Sequence, residues 1–137
     1  STKWKILFKT KENSQFDVNS PAFEKFFKSA YKTTNIKEVQ ELIQHNSYDM
    51  IISDISLDAF YGGIELKEMI EKDPSLTIFA LLTPRDSDKL LALSEMGINA
   101  FELIPEQLDL ALEEISKFNP HKKSLIIEII PWSTQAL

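Results

Sequence analysis

The sequence predicts an α/β domain in which five parallel strands form one sheet covered by helices on both faces. Two observations carry this. Five short strand-like runs, at 4–8, 31–34, 50–53, 77–82 and 100–103, alternate with five segments whose apolar residues recur at helical spacing. The stretch YDMIISDISLDAFYG, at 48–62, also delivers one carboxylate, Asp54, at the end of a run apolar enough for a strand buried on both sides. Strand–helix alternation of this kind requires parallel pairing through right-handed crossovers, and so a three-layer sandwich.

Each element has its own signals. Trp4 to Phe8 reads as the first strand. Ser20 followed by Pro21 is an N-cap with proline at the first helical position, and Phe23, Phe26, Phe27 and Ala30 then form one stripe of a first helix. Tyr31 to Thr34 reads as a weaker second strand. Thr34 or Asn35 caps a second helix with Ile36, Val39, Leu42 and Ile43 on one face, ended by Asn46 and Ser47. Met50 to Ser53 is the third strand, and Ile64 to Glu71 a third helix stopped by Asp73 and Pro74. Thr77 to Leu82 is a fourth, buried strand. Ser87 to Met96 is a fourth helix closed by Gly97 as its left-handed cap. Ala100 to Leu103 makes the fifth strand, and Glu106 to Phe118 a fifth helix with Leu108, Leu112 and Ile115 inward. The commonest compact arrangement of such a (βα)5 chain is the flavodoxin-like strand order 2-1-3-4-5, whose switch point lies between strands one and three, beside Asp54.

Composition bounds the function. With 137 residues, 43% hydrophobic and 26% charged, the chain holds one core, read here as a domain over 1–119 with a tail or linker over 120–137. It has no cysteine, which removes disulfides, thiolate metal sites and a cysteine nucleophile, and fits a cytoplasmic setting. A formal charge of -6 argues against nucleic-acid binding by this domain. No segment approaches the roughly 20 apolar residues of a membrane helix, and the N-terminal STKWKILFKTKE does not read as a signal peptide, so no membrane association is expected.

The segment YDMIISDISLDAFYGGIEL resembles the phosphoacceptor region of the CheY-like receiver domains of bacterial two-component response regulators, with Asp54 at the phosphorylated position and Gly62 at the turn glycine. The resemblance covers most of residues 3–118. It places Thr83, 29 residues beyond Asp54, at the hydroxyl position after strand four, and Phe101, in GINAFELIP, at the aromatic switch position. Ile104, 21 residues beyond Thr83, stands directly before Pro105.

The same resemblance exposes substitutions. Receivers carry two acidic residues after strand one to hold a divalent cation, where this chain has Thr10 and Lys11, and a lysine before the proline, where it has Ile104. Phosphoryl transfer to a carboxylate depends on charge neutralisation by metal and lysine, so Mg²⁺ affinity and phosphorylation are expected to be lost, with Glu12 a poor replacement. Lys9 or Lys11 is expected to reach Asp54 and compensate its charge; the plainer alternative leaves both lysines in water.

The leading reading is a degenerate, or pseudo-, receiver: a signalling interaction module without enzymatic activity, catalytic residues, metal or cofactor. Its partner would be a histidine kinase, an output domain or a second receiver, engaged through helix four, strand five and helix five, and a homodimer is one form of this. The alternative is a genuine phospho-accepting receiver switched at Asp54, for which Mg²⁺ would be required. A ligand or flavin binder on the same fold rests on analogy alone. Ser53, Ser56 and Thr83 have no histidine placed to activate them, and His45 and His121 lack a partner at ligand spacing, so both histidines read as surface residues. The acidic run Glu102, Glu106, Asp109, Glu113 and Glu114 reads as a solvated face or a partner face. Leu125 to Ile130, LIIEII, is strongly β-prone and is expected to be buried as an added strand, preferentially against another chain.

Overall fold

The computed structural model describes residues 3–45, 48–56 and 61–121. Its strands are β1 (Lys5–Lys9), β2 (Ser29–Thr33), β3 (Met50–Asp54), β4 (Ile78–Leu82) and β5 (Asn99–Glu102). All pair in parallel, in the order β2-β1-β3-β4-β5. The helices are α1 (Ala22–Phe26), α2 (Ile36–His45), α3 (Tyr61–Lys72), α4 (Leu90–Glu95) and α5 (Leu108–Ser116).

The two-residue period of the strands divides the core into two layers. Ile6, Phe8, Met50, Ile52, Phe79 and Leu81 pack with Phe23 of α1 and Leu108, Leu112 and Ile115 of α5. Their alternates, Leu7, Ile51, Ile78, Ala80 and Leu82, pack with Val39 of α2, Leu66 and Met69 of α3 and Leu93 of α4. Aromatic pairs lock the first layer, with Phe8 and Phe23 centroids 4.8 Å apart and Phe79 lying 5.5 Å from Phe101 and 5.3 Å from Phe118. β3 and β4 are buried along their whole length, so their C-terminal ends carry polar groups into a dry environment.

Three expectations are corrected. The first helix is short: Phe27 turns extended (φ -124, ψ 151), the Lys28 N–H pairs with the Trp4 carbonyl at 2.8 Å, and Ala30 lies in β2. The spacing misled because β2 and α1 face the same apolar layer, so a strand residue completes the helical stripe. The fourth helix is divided: Pro84–Lys89 is a 3₁₀ turn with a break at Asp86 (φ -107, ψ 17), and only Leu90–Glu95 is α-helical. His121 is not isolated, since its Nε2 lies 2.7 Å from Asp49 Oδ1 and its ring meets Trp4 edge-on at 5.6 Å. Gly97 does take the left-handed conformation expected of a helix cap, at φ +84. The expected ends at Asn46 and Ser47, and the expected strand at Leu125 to Ile130, lie outside the described residues.

Candidate functional site

The ends of β1, β3 and β4 converge at the switch point of the sheet, where a carboxylate, two hydroxyls and an ammonium meet. Lys9 lies opposite Ser53, and Asp54 opposite Leu81, in the strand register. Asp54 is 0% exposed, and burial of an unpartnered carboxylate would be costly, so its partners define the site.

Both carboxylate oxygens are occupied. Oδ1 accepts the Ser56 hydroxyl at 2.6 Å and the Ser56 backbone N–H at 2.9 Å, a local turn that any aspartate at a strand end can make. Oδ2 accepts the hydroxyl of Ser14, which comes from the loop after β1. Ser14 Oγ in turn accepts the Phe16 N–H at 3.1 Å, and Phe16 is buried in the layer beneath α1 and α5. The loop is thus tied across Asp54 by a hydrogen bond and anchored on its far side by a core phenylalanine.

Lys11 approaches from the same loop. Its ammonium donates to the backbone carbonyl of Ser56, two residues beyond Asp54. Among the described ion pairs none involves Asp54, whose hydrogen-bond donors are the hydroxyls of Ser14 and Ser56 and the Ser56 N–H. Thr10 is 6% exposed; its backbone N–H pairs with the Thr33 carbonyl at 2.8 Å, and its hydroxyl has no partner. Glu12 is exposed.

This donor set does not fit a divalent cation. Mg²⁺ demands several oxygens in near-octahedral array, carboxylates among them. Here the one described carboxylate at the strand ends is filled by two hydroxyls, a neighbouring carbonyl is held by an ammonium, and Thr10 offers a neutral hydroxyl. Among the described residues no three His, Cys, Asp or Glu side chains converge.

The other positions singled out in the sequence fall around this centre. Thr83, at the end of β4, is buried, and its hydroxyl donates to Asp86 Oδ2 at 3.4 Å. Phe101 is buried, with its ring turned inward against Phe79. Ile104 is exposed, and its backbone N–H donates to Gln107 Oε1 at 3.0 Å, starting the turn into α5. Two residues of the site escaped the sequence reading. Ser14 sits in a featureless polar stretch and carried no signal. Asp86 did carry one, because Thr83-Pro84-Arg85-Asp86 has the spacing of a helix N-terminal box.

No family model matches the chain, and no curated protein matches it in sequence. Solved structures do match in fold. The receiver domain of the TMAO respiratory system response regulator TorR superposes with a TM-score of 0.62 at 18% identity, covering 82% of this chain and 96% of that one. A response regulator receiver domain protein from Clostridium thermocellum gives 0.61 at 17% identity, covering 84% and 95%. A protein assigned to pilus assembly (cpaE) from Burkholderia thailandensis E264 gives 0.63 at 17% identity, covering 85% and 100%. Together with the parallel order β2-β1-β3-β4-β5, these likenesses establish that the chain has the flavodoxin-like fold of response-regulator receiver domains.

Proposed function

We propose that this chain is a degenerate receiver: a protein-interaction module of two-component signalling that keeps the receiver scaffold and does not run Mg²⁺-dependent phosphorylation at Asp54. The observation that carries this reading is the filled carboxylate. Asp54 is fully buried, both its oxygens accept hydroxyls, and an ammonium sits on the adjacent carbonyl. A phosphodonor would have to break these contacts and gather its own charge neutralisation in a site whose acidic pair is Thr10 and Lys11. The scaffold alone does not decide for phosphorylation, since similar folds include a pilus assembly protein as well as response regulators.

Signalling would then proceed by docking. The segment Leu90–Ser116 carries six acidic residues, from Glu95 to Glu114, and no lysine or arginine. It also exposes Leu91, Ile104 and Leu110. That mixture of apolar and acidic surface on α4, β5 and α5 suits a protein partner such as a histidine kinase, an output domain or a second receiver. The alternative reading, a phospho-accepting switch, draws on the buried hydroxyl of Thr83 at the end of β4. Intact-mass measurement after incubation with acetyl phosphate and Mg²⁺ separates the two: an unchanged mass is expected, and a gain of one phosphoryl group that vanishes in Asp54→Asn would establish the alternative.

A further inference from the structure

Asp86 is a buried carboxylate that the reading of Asp54 does not use. It is 5% exposed and lies where the 3₁₀ turn of Pro84–Lys89 breaks before α4. Burial of a carboxylate is tolerated only with partners, and those the turn provides are specific. The Thr83 hydroxyl donates to Oδ2 at 3.4 Å, the Lys89 ammonium lies 3.0 Å from Oδ1, and the Asp86 N–H donates to the Thr83 carbonyl at 2.9 Å.

Thr83, Asp86 and Lys89 are spaced three residues apart, and although the helical geometry breaks at Asp86, the carboxylate contacts both of the others. A carboxylate with a lysine beside it is the chemical equivalent of a fixed anion with its counterion. It faces the buried hydroxyl of Thr83 at the end of β4.

Resting on the reading of Asp54 as a silent position, we propose that Asp86 is the permanent internal anion of this module. It captures the Thr83 hydroxyl on the α4 side, away from Asp54, and with Lys89 fixes the point at which α4 begins. The state of the signalling face is then written into the β4–α4 turn. Leu90 is the first residue of α4 and Leu91, beside it, is 71% exposed, so a shift in the start of the helix would rotate this apolar residue relative to β5. Asp86 acts here as a positioning residue through Thr83 and Lys89.

The test is the side-chain rotamer of Thr83, read from three-bond methyl couplings by NMR in the full chain, for wild type, Asp86→Ala and Lys89→Gln. The expected result is one rotamer in wild type and averaged couplings in Asp86→Ala, while methyl couplings in the β1 and β3 core stay unchanged. Lys89→Gln, which leaves the carboxylate in place, should shift the amides of Leu90 and Leu91 while keeping the single Thr83 rotamer. An unaltered Thr83 rotamer in folded Asp86→Ala overturns the proposal. Should that variant not fold, unchanged Leu90 and Leu91 amides in Lys89→Gln overturn it instead. Adding Mg²⁺ and beryllofluoride to wild type is a separate arm. A response at Asp54 would refute the silent-site reading and leave the Thr83 rotamer result standing on its own.

Discussion

The hydroxyl of Ser14 donates to the carboxylate of Asp54 across forty residues of sequence, and this bond ties the loop after β1 over the end of β3. A charge-assisted hydrogen bond to a fully buried acceptor is among the stronger single contacts a small domain can make. Ser14→Ala should therefore lower the unfolding free energy by about 1–2 kcal/mol, and expose the loop to protease, because Asp54 Oδ2 is left without its donor. Urea denaturation at neutral pH measures this, and a midpoint equal to wild type would mean that the loop is held by other contacts.

Lys11 holds the Ser56 carbonyl, two residues beyond Asp54. Lys11→Asp removes the ammonium and adds a second carboxylate beside Asp54, and since cation affinity follows ligand charge, Mg²⁺ binding should tighten by at least about tenfold. Isothermal titration of the variant against wild type checks this. Equal, negligible heats in both would show that the geometry of the loop, rather than its charge, excludes the ion.

Phe101 is fixed inward by the Phe79 ring at 5.5 Å and lies in the layer shared with α5. Phe101→Ala should cost about 3–5 kcal/mol, as for other buried phenylalanines, with Leu a milder substitute. A loss well under this range would indicate that the ring spends much of its time outside the core.

Tyr31 offers a pH signature on the outer strand β2. Its hydroxyl donates to Glu38 Oε1, and that hydrogen bond, followed by the negative charge of Glu38, raises the phenol above its ordinary value near 10. Because the folded state holds the proton more tightly, this contact contributes stability below about pH 10 and loses it as the pH rises through the raised value. Ultraviolet titration should find a tyrosine that ionises above the ordinary value near 10, and Glu38→Gln should bring it back.

The fold was readable because its signals are local and repeated. β3 and β4 announce themselves as apolar runs, Pro21 and Gly97 punctuate helices, and the alternation of elements leaves few topologies. What was not readable depends on which residues share a layer. Ala30 continued a helical stripe because β2 pairs with β1 on the same side of the core. The site divides in the same way. Asp54 stood out at the end of an apolar run, and Thr83 and Phe101 were singled out through the family resemblance, whereas the donor to Asp54 came from Ser14, whose role exists only once the β1 loop has folded back. The lysine expected near Asp54 does come from this loop, and its ammonium donates to the Ser56 carbonyl two residues beyond it.

The central claim is that Asp54 is a structural carboxylate and the module is not switched through it. The most direct measurement is an amide NMR titration of the full chain with Mg²⁺ and then with Mg²⁺ plus beryllofluoride, compared with Asp54→Asn. The account predicts no saturable, Asp54-dependent shift below about millimolar Mg²⁺, the range of weak all-oxygen sites, and no change at Thr83 or Phe101 on adding beryllofluoride. Saturable shifts at Asp54, Thr83 and Phe101 that disappear in Asp54→Asn would contradict it.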